Sequence, residues 1–235
     1  MKTSSLNKNA LNSKIAGTLY LIIAIVGGFS IGYVQSEIFI SGNAGGTFQN
    51  LIQNLTLFKF GVGGDIAVLV LETVLTVLLY QLFKSFGKTS MLVATFSRLA
   101  MTIIMAVNVV FYLAPYVLTT QGNYADALGQ TQVEAMALLF FQLHKYGELA
   151  WQVFFAIHLW SLGMVIRSSK LAPKALGLLM IVGSLGYAGD SITQLVQVNN
   201  ETTALIFGVL LVLAVAAEFW FAFWLLVRGL PQKSE

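Results

Sequence analysis

Residues 140–163 read FFQLHKYGELAWQVFFAIHLWSLG, an apolar and aromatic run that contains both histidines of the chain. The run is longer than the roughly 18 apolar residues that indicate a membrane-spanning helix. An ionisable side chain in such a helix is costly wherever it faces lipid. The stretch therefore predicts a membrane helix, in which His144, Glu148 and His158 need polar surroundings away from lipid.

The composition of the whole chain agrees with this interpretation. Of its 235 residues, 57% are hydrophobic and only 10% are charged, which is more apolar than a soluble domain of this size. The formal net charge is +3, but the basic residues form no cluster on a polar surface, so we predict no nucleic-acid partner. The absence of cysteine excludes disulfides, thiolate metal sites and cysteine nucleophiles.

Apolar segments of spanning length recur along the sequence. We predict an all-α integral membrane protein, with six transmembrane helices in one bundle and a single domain covering residues 1–235. The predicted spans are residues 14–34, 60–83, 89–119, 132–166, 172–197 and 202–227. A short interfacial helix is predicted in the first outer loop, where apolar residues recur at helical spacing: Phe48, Leu51, Ile52, Leu55 and Phe58.

The basic residues predict the orientation of the helices. Ten of the thirteen lie on one side of the predicted membrane: Lys2, Lys8, Lys14, Lys84, Lys88, Arg167, Lys170, Lys174, Arg228 and Lys233. The positive-inside rule then places both termini in the cytoplasm. No A-x-A-like site follows the first apolar run, so we expect a retained helix there and not a cleaved signal peptide. Gly229 and Pro231 predict the end of the sixth helix.

Polar side chains inside the spans form two predicted layers when depth is counted at about 1.5 Å per residue. The middle layer contains Glu72, Arg98, His158 and Glu218. The second layer, nearer the outer face, contains Asp65, Asn108, His144, Glu148 and Asp190. Helical spacing gives several helices a polar face, which predicts a shared interior. Ala214 and Ala222 flank Glu218 at four-residue spacing, which predicts close approach of neighbouring helices.

The free-energy cost of placing a charge in lipid restricts the directions that the side chains of the middle layer can take. Glu72, Arg98 and Glu218 would each cost about 2.5–3.5 kcal/mol at the bilayer centre, so we expect them to face inward and find partners. Glu72 and Arg98, at matching depth on consecutive helices, predict an ion pair. Two carboxylates then face one guanidinium. Either His158 is protonated, or one carboxyl is neutral, or a cation or cationic ligand completes the site.

Structural roles remain open for the same residues. The Glu72–Arg98 pair could simply join two helices, and Glu218 or His158 could be a hydrogen-bonded interior group. His144 and Lys145 could reach the outer interface, and Asp65 and Asp190 could cap or line it.

Metal and cofactor sites find little support in the sequence. His144 and Glu148 are one helical turn apart and could share an ion, but His158 lies about 21 Å further along the axis. No HExxH motif is present, and no further histidine could supply the second axial ligand of a haem. We predict no metal and no cofactor.

Seven stretches in order resemble a family known as domain of unknown function 4386 (DUF4386): KIAGTLYL (14–21), FSRL (96–99), LHKYG (143–147), FFAIHLWSLG (154–163), LAPKALGLLM (171–180), GYAGDS (186–191) and AEFWFAFWLLVRG (217–229). The resemblance covers almost the full length. It implies a bacterial multi-spanning protein of the inner membrane, in contact with the lipid bilayer. It supplies no activity and assigns no role to any residue.

Three functions agree with these patterns. The first is binding or transport of a proton, a cation or a small polar solute at an intramembrane polar site. The second is an intramembrane enzyme that uses Glu72, Glu218 or His158 for acid–base chemistry on a lipid-soluble substrate. The third is a non-catalytic regulator, in which the interior polar groups only fix helix register. The sequence carries no signal for an oligomeric state.

Overall fold

The apolar runs form six long helical stretches in the computed structural model, which describes residues 2–198 and 200–228 and the side chains of residues 9–198 and 200–228. Six stretches are long and apolar enough to cross a membrane: Asn9–Ile38, Leu55–Phe86, Lys88–Thr120, Gln130–Ser169, Lys174–Leu195 and Glu201–Val227. The described residues contain no β-strand. The prediction of an all-α protein with six membrane-spanning helices is therefore confirmed by length and composition.

The helices in chain order are α1 (Lys2–Gly27), α2 (Gln35–Ile38), α3 (Ala44–Gln53), α4 (Leu55–Phe83), α5 (Lys88–Thr120), α6 (Tyr124–Leu128), α7 (Gln130–Ser169), α8 (Lys174–Leu195) and α9 (Glu201–Val227). A π-helical segment, Gly28–Val34, joins α1 to α2 without a break. The second span begins at Leu55, five residues before the predicted position.

Helix α3 occupies the loop in which a short helix was predicted. The side chain of Asn43 begins it by accepting a hydrogen bond from the backbone N–H of Gly46 at 2.8 Å. Leu55 and Phe58 belong to α4 instead. The interfacial position of α3, the single domain and the cytoplasmic termini remain predictions. Gly229, Pro231 and Lys233 lie outside the described residues, as do the side chains of Lys2 and Lys8.

The chain divides into two compact units. The first unit comprises Met1–Ile23, Leu71–Thr102 and Leu149–Glu235, and the second comprises Ala24–Val70 and Ile103–Glu148. Each unit has its own apolar core. The core of the first is built around Tyr20, Phe83 and Phe221, and that of the second around Phe58 and Tyr112.

Small residues let helices of the first unit pack closely. A Cβ atom on Gly183 of α8 would lie 2.6 Å from the Cα of Ala214 in α9. A Cβ atom on Gly17 of α1 would lie 2.7 Å from the carbonyl oxygen of Ala222 in α9. Both alanines that flank Glu218 are thus at close helix contacts, as their spacing predicted.

Replacing Gly183 should separate α8 from α9. Because the added methyl group would meet the backbone of Ala214, which cannot rotate away, Gly183→Ala should lower the free energy of unfolding by about 1–3 kcal/mol. Gly208→Ala on α9 is the matched control, since a Cβ atom there meets nothing within 4 Å. Thermal unfolding of the purified protein in detergent measures both. Equal effects of the two substitutions would contradict the packing described.

Candidate functional site

The ion pair predicted in the middle layer is present in the first unit. Nε of Arg98 on α5 donates to Oε2 of Glu72 on α4 at 2.6 Å, and both side chains are buried. Nη1 of Arg98 also donates to the hydroxyl of Tyr20 on α1 at 3.3 Å. The guanidinium carbon lies 5.0 Å from the Tyr20 ring centroid and 5.8 Å from that of Phe155. Arg98 is therefore held by both charge and aromatic contacts.

His158 completes this group, and its hydrogen bonds identify its proton. Its Nδ1 lies 2.8 Å from the backbone carbonyl oxygen of Ala94, which can only accept, so Nδ1 carries the hydrogen. Its Nε2 lies 2.9 Å from Nη1 of Arg98, which can only donate, so Nε2 presents its lone pair. His158 is thus a neutral imidazole. We refer to Tyr20, Glu72, Arg98 and His158 as the Arg98 network.

Because His158 is neutral, it does not supply the positive charge that would offset the second carboxylate of the middle layer. One of the three predicted ways to balance the charge of this layer is therefore removed. Glu218, the fourth predicted member, is partly buried on α9 and accepts a hydrogen bond from the hydroxyl of Tyr187 at 3.2 Å. It interacts electrostatically with Arg98 but forms no ion pair with it. A neutral carboxyl or a bound cation are the remaining solutions for this layer.

Asp190 belongs to the first unit, apart from the other residues of its predicted layer. Its carboxylate accepts a hydrogen bond from the side chain of Gln194 at 2.9 Å, one turn along the same helix. The side chain is partly buried. This pairing satisfies Asp190 within α8.

The other four residues of the second layer lie in the second unit. There His144 and Glu148 of α7 meet Gln35, the first residue of α2. Nε2 of Gln35 donates to Oε1 of Glu148 at 2.6 Å and lies 3.1 Å from Nε2 of His144. Nε2 of His144 and Oε1 of Glu148 are themselves 3.3 Å apart. A histidine, a carboxylate and an amide therefore share one partly buried contact.

Asn108 and Tyr112 of α5 enclose His144 from the other side. Nδ2 of Asn108 donates to the backbone carbonyl of His144 at 2.8 Å, while Nδ1 of His144 lies 3.2 Å from the backbone carbonyl of Asn108. The Tyr112 ring stacks on the imidazole with centroids 4.5 Å apart. Gly147 makes this approach possible, because a Cβ atom at that position would overlap the Asn108 side chain.

Asp65 of α4 completes the group. Its carboxylate is buried in the same unit, within electrostatic range of His144, Glu148 and Tyr112, and forms no hydrogen bond with these three residues. Ser30, in the π-helical segment, lies beside it and is fully buried. Gly64 admits the Ser30 hydroxyl, which a Cβ atom there would overlap. We refer to Gln35, Asp65, Asn108, Tyr112, His144 and Glu148 as the His144 cluster.

The His144 cluster contains buried polar atoms that no described protein group pairs. These atoms are Oδ2 of Asp65, Oδ1 of Asn108 and the hydroxyl of Tyr112. Such atoms are uncommon in native interiors, because each unmade hydrogen bond costs about 1–3 kcal/mol. All three belong to the second unit. The unmet hydrogen-bonding capacity of the candidate set is therefore concentrated in this cluster.

The buried charge of the second unit is also one-sided. The buried side chains of this unit that can carry a charge near neutral pH are the carboxylates of Asp65 and Glu148 and the imidazole of His144. The two lysines of this unit, Lys59 and Lys145, are exposed. One interpretation of the sequence placed His144 at the surface beside Lys145. His144 is instead buried.

Sequence reasoning missed several partners in both groups. Gln35 follows a long apolar run and carries no charge, so no pattern pointed to it. Tyr20, Tyr112 and Tyr187 lie in spans that contain many aromatic residues, so their spacing gave no sign that their hydroxyl groups face polar partners. The i, i+4 spacing of Asn108 and Tyr112 is the one sequence signal that could have linked a tyrosine to the second layer.

Two further features bear on ligands. No group of three His, Cys, Asp or Glu side chains among the described residues is placed to hold a metal ion. A surface groove of about 280 Å³ in the second unit is lined by α3, α6 and the ends of α5 and α7. None of the candidate residues lines this groove.

Comparison with known proteins gives the following matches. The sequence model of the family described as Domain of unknown function (DUF4386) matches residues 15–229. An "Uncharacterized protein" of Archaeoglobus fulgidus is 27% identical over 150 residues, which cover 59% of this chain and 83% of that protein. No solved structure matches the chain.

Removing Arg98 should leave Glu72 buried without a partner. Arg98→Met should therefore lower the free energy of unfolding by about 3–5 kcal/mol, and adding Glu72→Gln should recover part of that loss. Lys145→Met is the control, since Lys145 is exposed and should change stability by less than about 0.5 kcal/mol. Denaturant unfolding in detergent measures the free energies. Strictly additive effects of the two network substitutions would contradict the ion pair.

The tautomer of His158 can be tested directly, because the chain has only two histidines. In a His144→Gln variant labelled with ¹⁵N-histidine, Nδ1 of His158 should carry a hydrogen and Nε2 should not, at neutral pH. Solid-state NMR of the protein in lipid distinguishes the two nitrogens. Hydrogens on both would restore the protonated histidine as the balancing charge of the middle layer.

Proposed function

We propose that this chain, which belongs to the DUF4386 family, binds or transports a proton, a cation or a small polar solute through an intramembrane polar site in its second unit. The protein is a multi-pass protein of the inner membrane, with both termini in the cytoplasm. The six apolar helices and the one-sided distribution of basic residues support that placement.

The observation that carries the proposal is the set of unpaired oxygens in the His144 cluster. Asp65, Asn108 and Tyr112 expose at most 4% of their surface, yet each has a polar atom that forms no hydrogen bond with any described group. Buried polar groups are normally paired, and intramembrane ionisable residues normally serve a function. A ligand with positive charge or hydrogen-bond donors would satisfy these oxygens and offset the carboxylates.

The Arg98 network supports a different role for the middle layer. Glu72 and His158 both direct polar atoms to the Arg98 guanidinium, and the imidazole is held at its other nitrogen by Ala94. Groups engaged in this way fix the register of α4, α5 and α7 in the first unit. They are poorly placed for acid–base chemistry, which weakens the enzyme alternative that relied on Glu72 and His158.

Replacing Asp65 should abolish the proposed activity. Asp65→Asn keeps the size of the side chain but removes the charge. Binding or flux of any probe that the wild-type protein takes up should therefore fall at least tenfold. The full chain is reconstituted in liposomes, and four probes are followed: protons with an internal pH-sensitive dye, ²²Na⁺, ⁸⁶Rb⁺ and ¹⁴C-methylammonium. Protein-free liposomes give the baseline.

Asp126→Asn is the matched control, because Asp126 is an exposed carboxylate of the same unit. It should leave binding and flux of every probe at the wild-type level. If no probe binds to or crosses with the wild-type protein, or if Asp65→Asn behaves like Asp126→Asn for every probe, the proposed function is wrong.

A further inference from the structure

We propose that the second unit binds an exchangeable proton, held between Nε2 of His144 and Oε1 of Glu148 beside the amide of Gln35. The inference rests on the proposed function and names its ligand. It starts from three polar atoms that lie against one another. Nε2 of Gln35 is 2.6 Å from Oε1 of Glu148 and 3.1 Å from Nε2 of His144, and the last two atoms are 3.3 Å apart.

The hydrogen bonds of His144 place a lone pair at this contact. Its Nδ1 lies 3.2 Å from the backbone carbonyl oxygen of Asn108, which can only accept, so Nδ1 carries the hydrogen. Its Nε2 faces the amide nitrogen of Gln35, which can only donate, so Nε2 presents its lone pair. His144 is therefore a neutral imidazole, and its remaining acceptor atom is the one beside Glu148.

The contact between His144 and Glu148 has no hydrogen when the carboxyl group is ionised. Oε1 and Nε2 then face each other with lone pairs across 3.3 Å, which is unfavourable for two acceptors. A proton that adds to either atom lets that atom donate to the other. The proton adds to a lone pair, so no other bond breaks, and it removes the negative charge of the pair.

The surroundings stabilise both states of the pair. Without the proton, the two amide hydrogens of Gln35 are available to Oε1 of Glu148 and Nε2 of His144. With the proton, the pair is neutral, which suits its burial, since Glu148 is 8% and His144 1% exposed. No buried lysine or arginine of the second unit offsets the carboxylate instead. Because the same heavy-atom positions serve both states, the proton can be taken up and released without a shift of the helices.

Other titratable groups face the pair from neighbouring helices. Asp65 of α4 and Tyr112 of α5 lie within electrostatic range of it. An ionised Asp65 repels the negative charge of Glu148 and so favours uptake of the proton. Tyr112 is an uncharged phenol near neutral pH, and its ring stacks on the imidazole with centroids 4.5 Å apart. Glu37 of α2 and Lys145 of α7 are exposed.

The geometry of the contact favours a proton over a larger ligand. Three atoms separated by 2.6, 3.1 and 3.3 Å leave no position between them for a further non-hydrogen atom. The nitrogen of Gln35 also directs hydrogens to this contact, and a metal ion needs lone pairs. Among the described residues, no three His, Cys, Asp or Glu side chains are placed to hold such an ion.

The test is a pH titration of the full-length protein in lipid by solid-state NMR, with ¹⁵N-histidine and ¹³C-glutamate labels. The pH falls from about 8 to about 5, the range in which a histidine changes charge. Nδ1 of His144 should carry a hydrogen throughout. The signals of its Nε2 and of the Glu148 carboxyl carbon should change together in one common step, as expected of two groups that share a proton. If both signals stay constant, or if they change in separate steps, the proposal is wrong.

Glu148→Gln should remove the common step. The substitution keeps the size of the side chain, but a protonated His144 would then be buried without a counter-ion, so the imidazole should stay neutral over the whole range. Glu37→Gln is the matched control, because Glu37 is an exposed glutamate of the same unit, and it should keep the step. The same behaviour in both variants would contradict the proposal. If Glu148→Gln does not fold, the titration of the wild type decides.

The liposome measurements separate this inference from the proposed function. If the common step is absent while ²²Na⁺, ⁸⁶Rb⁺ or ¹⁴C-methylammonium binds or crosses in an Asp65-dependent way, the proton inference is wrong and the proposed function stands. If the step is absent and no probe binds or crosses, both are wrong. If the step is present and is lost in Glu148→Gln, the inference holds, and the proton flux in liposomes shows whether the bound proton also crosses.

Discussion

The guanidinium of Arg98 imposes the strictest constraint on this structure, because a charge buried among apolar helices must be neutralised and hydrogen-bonded or the fold is lost. Its surroundings meet that demand with three different partners: the Glu72 carboxylate, the Tyr20 hydroxyl and the Nε2 lone pair of His158. Helices α1, α4, α5 and α7 of the first unit are thereby tied to a single side chain. A shift of any of them by one residue would break at least one of these bonds.

The two polar groups of the chain obey the same physical rule with different results. In the Arg98 network, both nitrogens of the histidine and two of the three nitrogens of the arginine have complementary partners, so the group joins helices of the first unit. In the His144 cluster, oxygens on Asp65, Asn108 and Tyr112 lack described partners, and the carboxylates face no buried lysine or arginine. The hydrogen bonds of the Arg98 network indicate a structural role. The unpaired oxygens of the His144 cluster indicate a binding site for a ligand.

The sequence predicted the helices and most of the buried polar residues, because both follow from hydropathy and from the cost of charge in lipid. It also predicted the Glu72–Arg98 pair, since depth along consecutive helices can be counted. The sequence could not show which of the two polar groups is fully paired and which has unpaired atoms. The state of His158 depends on the carbonyl of Ala94, and the unpaired atoms of the His144 cluster depend on distances between helices. Neither is written in residue spacing. Gln35 was missed because a neutral amide at the end of an apolar run resembles any polar boundary residue.

The π-helical segment Gly28–Val34 sets the direction in which Gln35 points. A π turn holds about one residue more than an α turn, and one residue of an α-helix corresponds to about 100° of rotation. Loss of a single amino acid from this segment would let it relax to regular α geometry and would swing Gln35 roughly a quarter-turn away from Glu148.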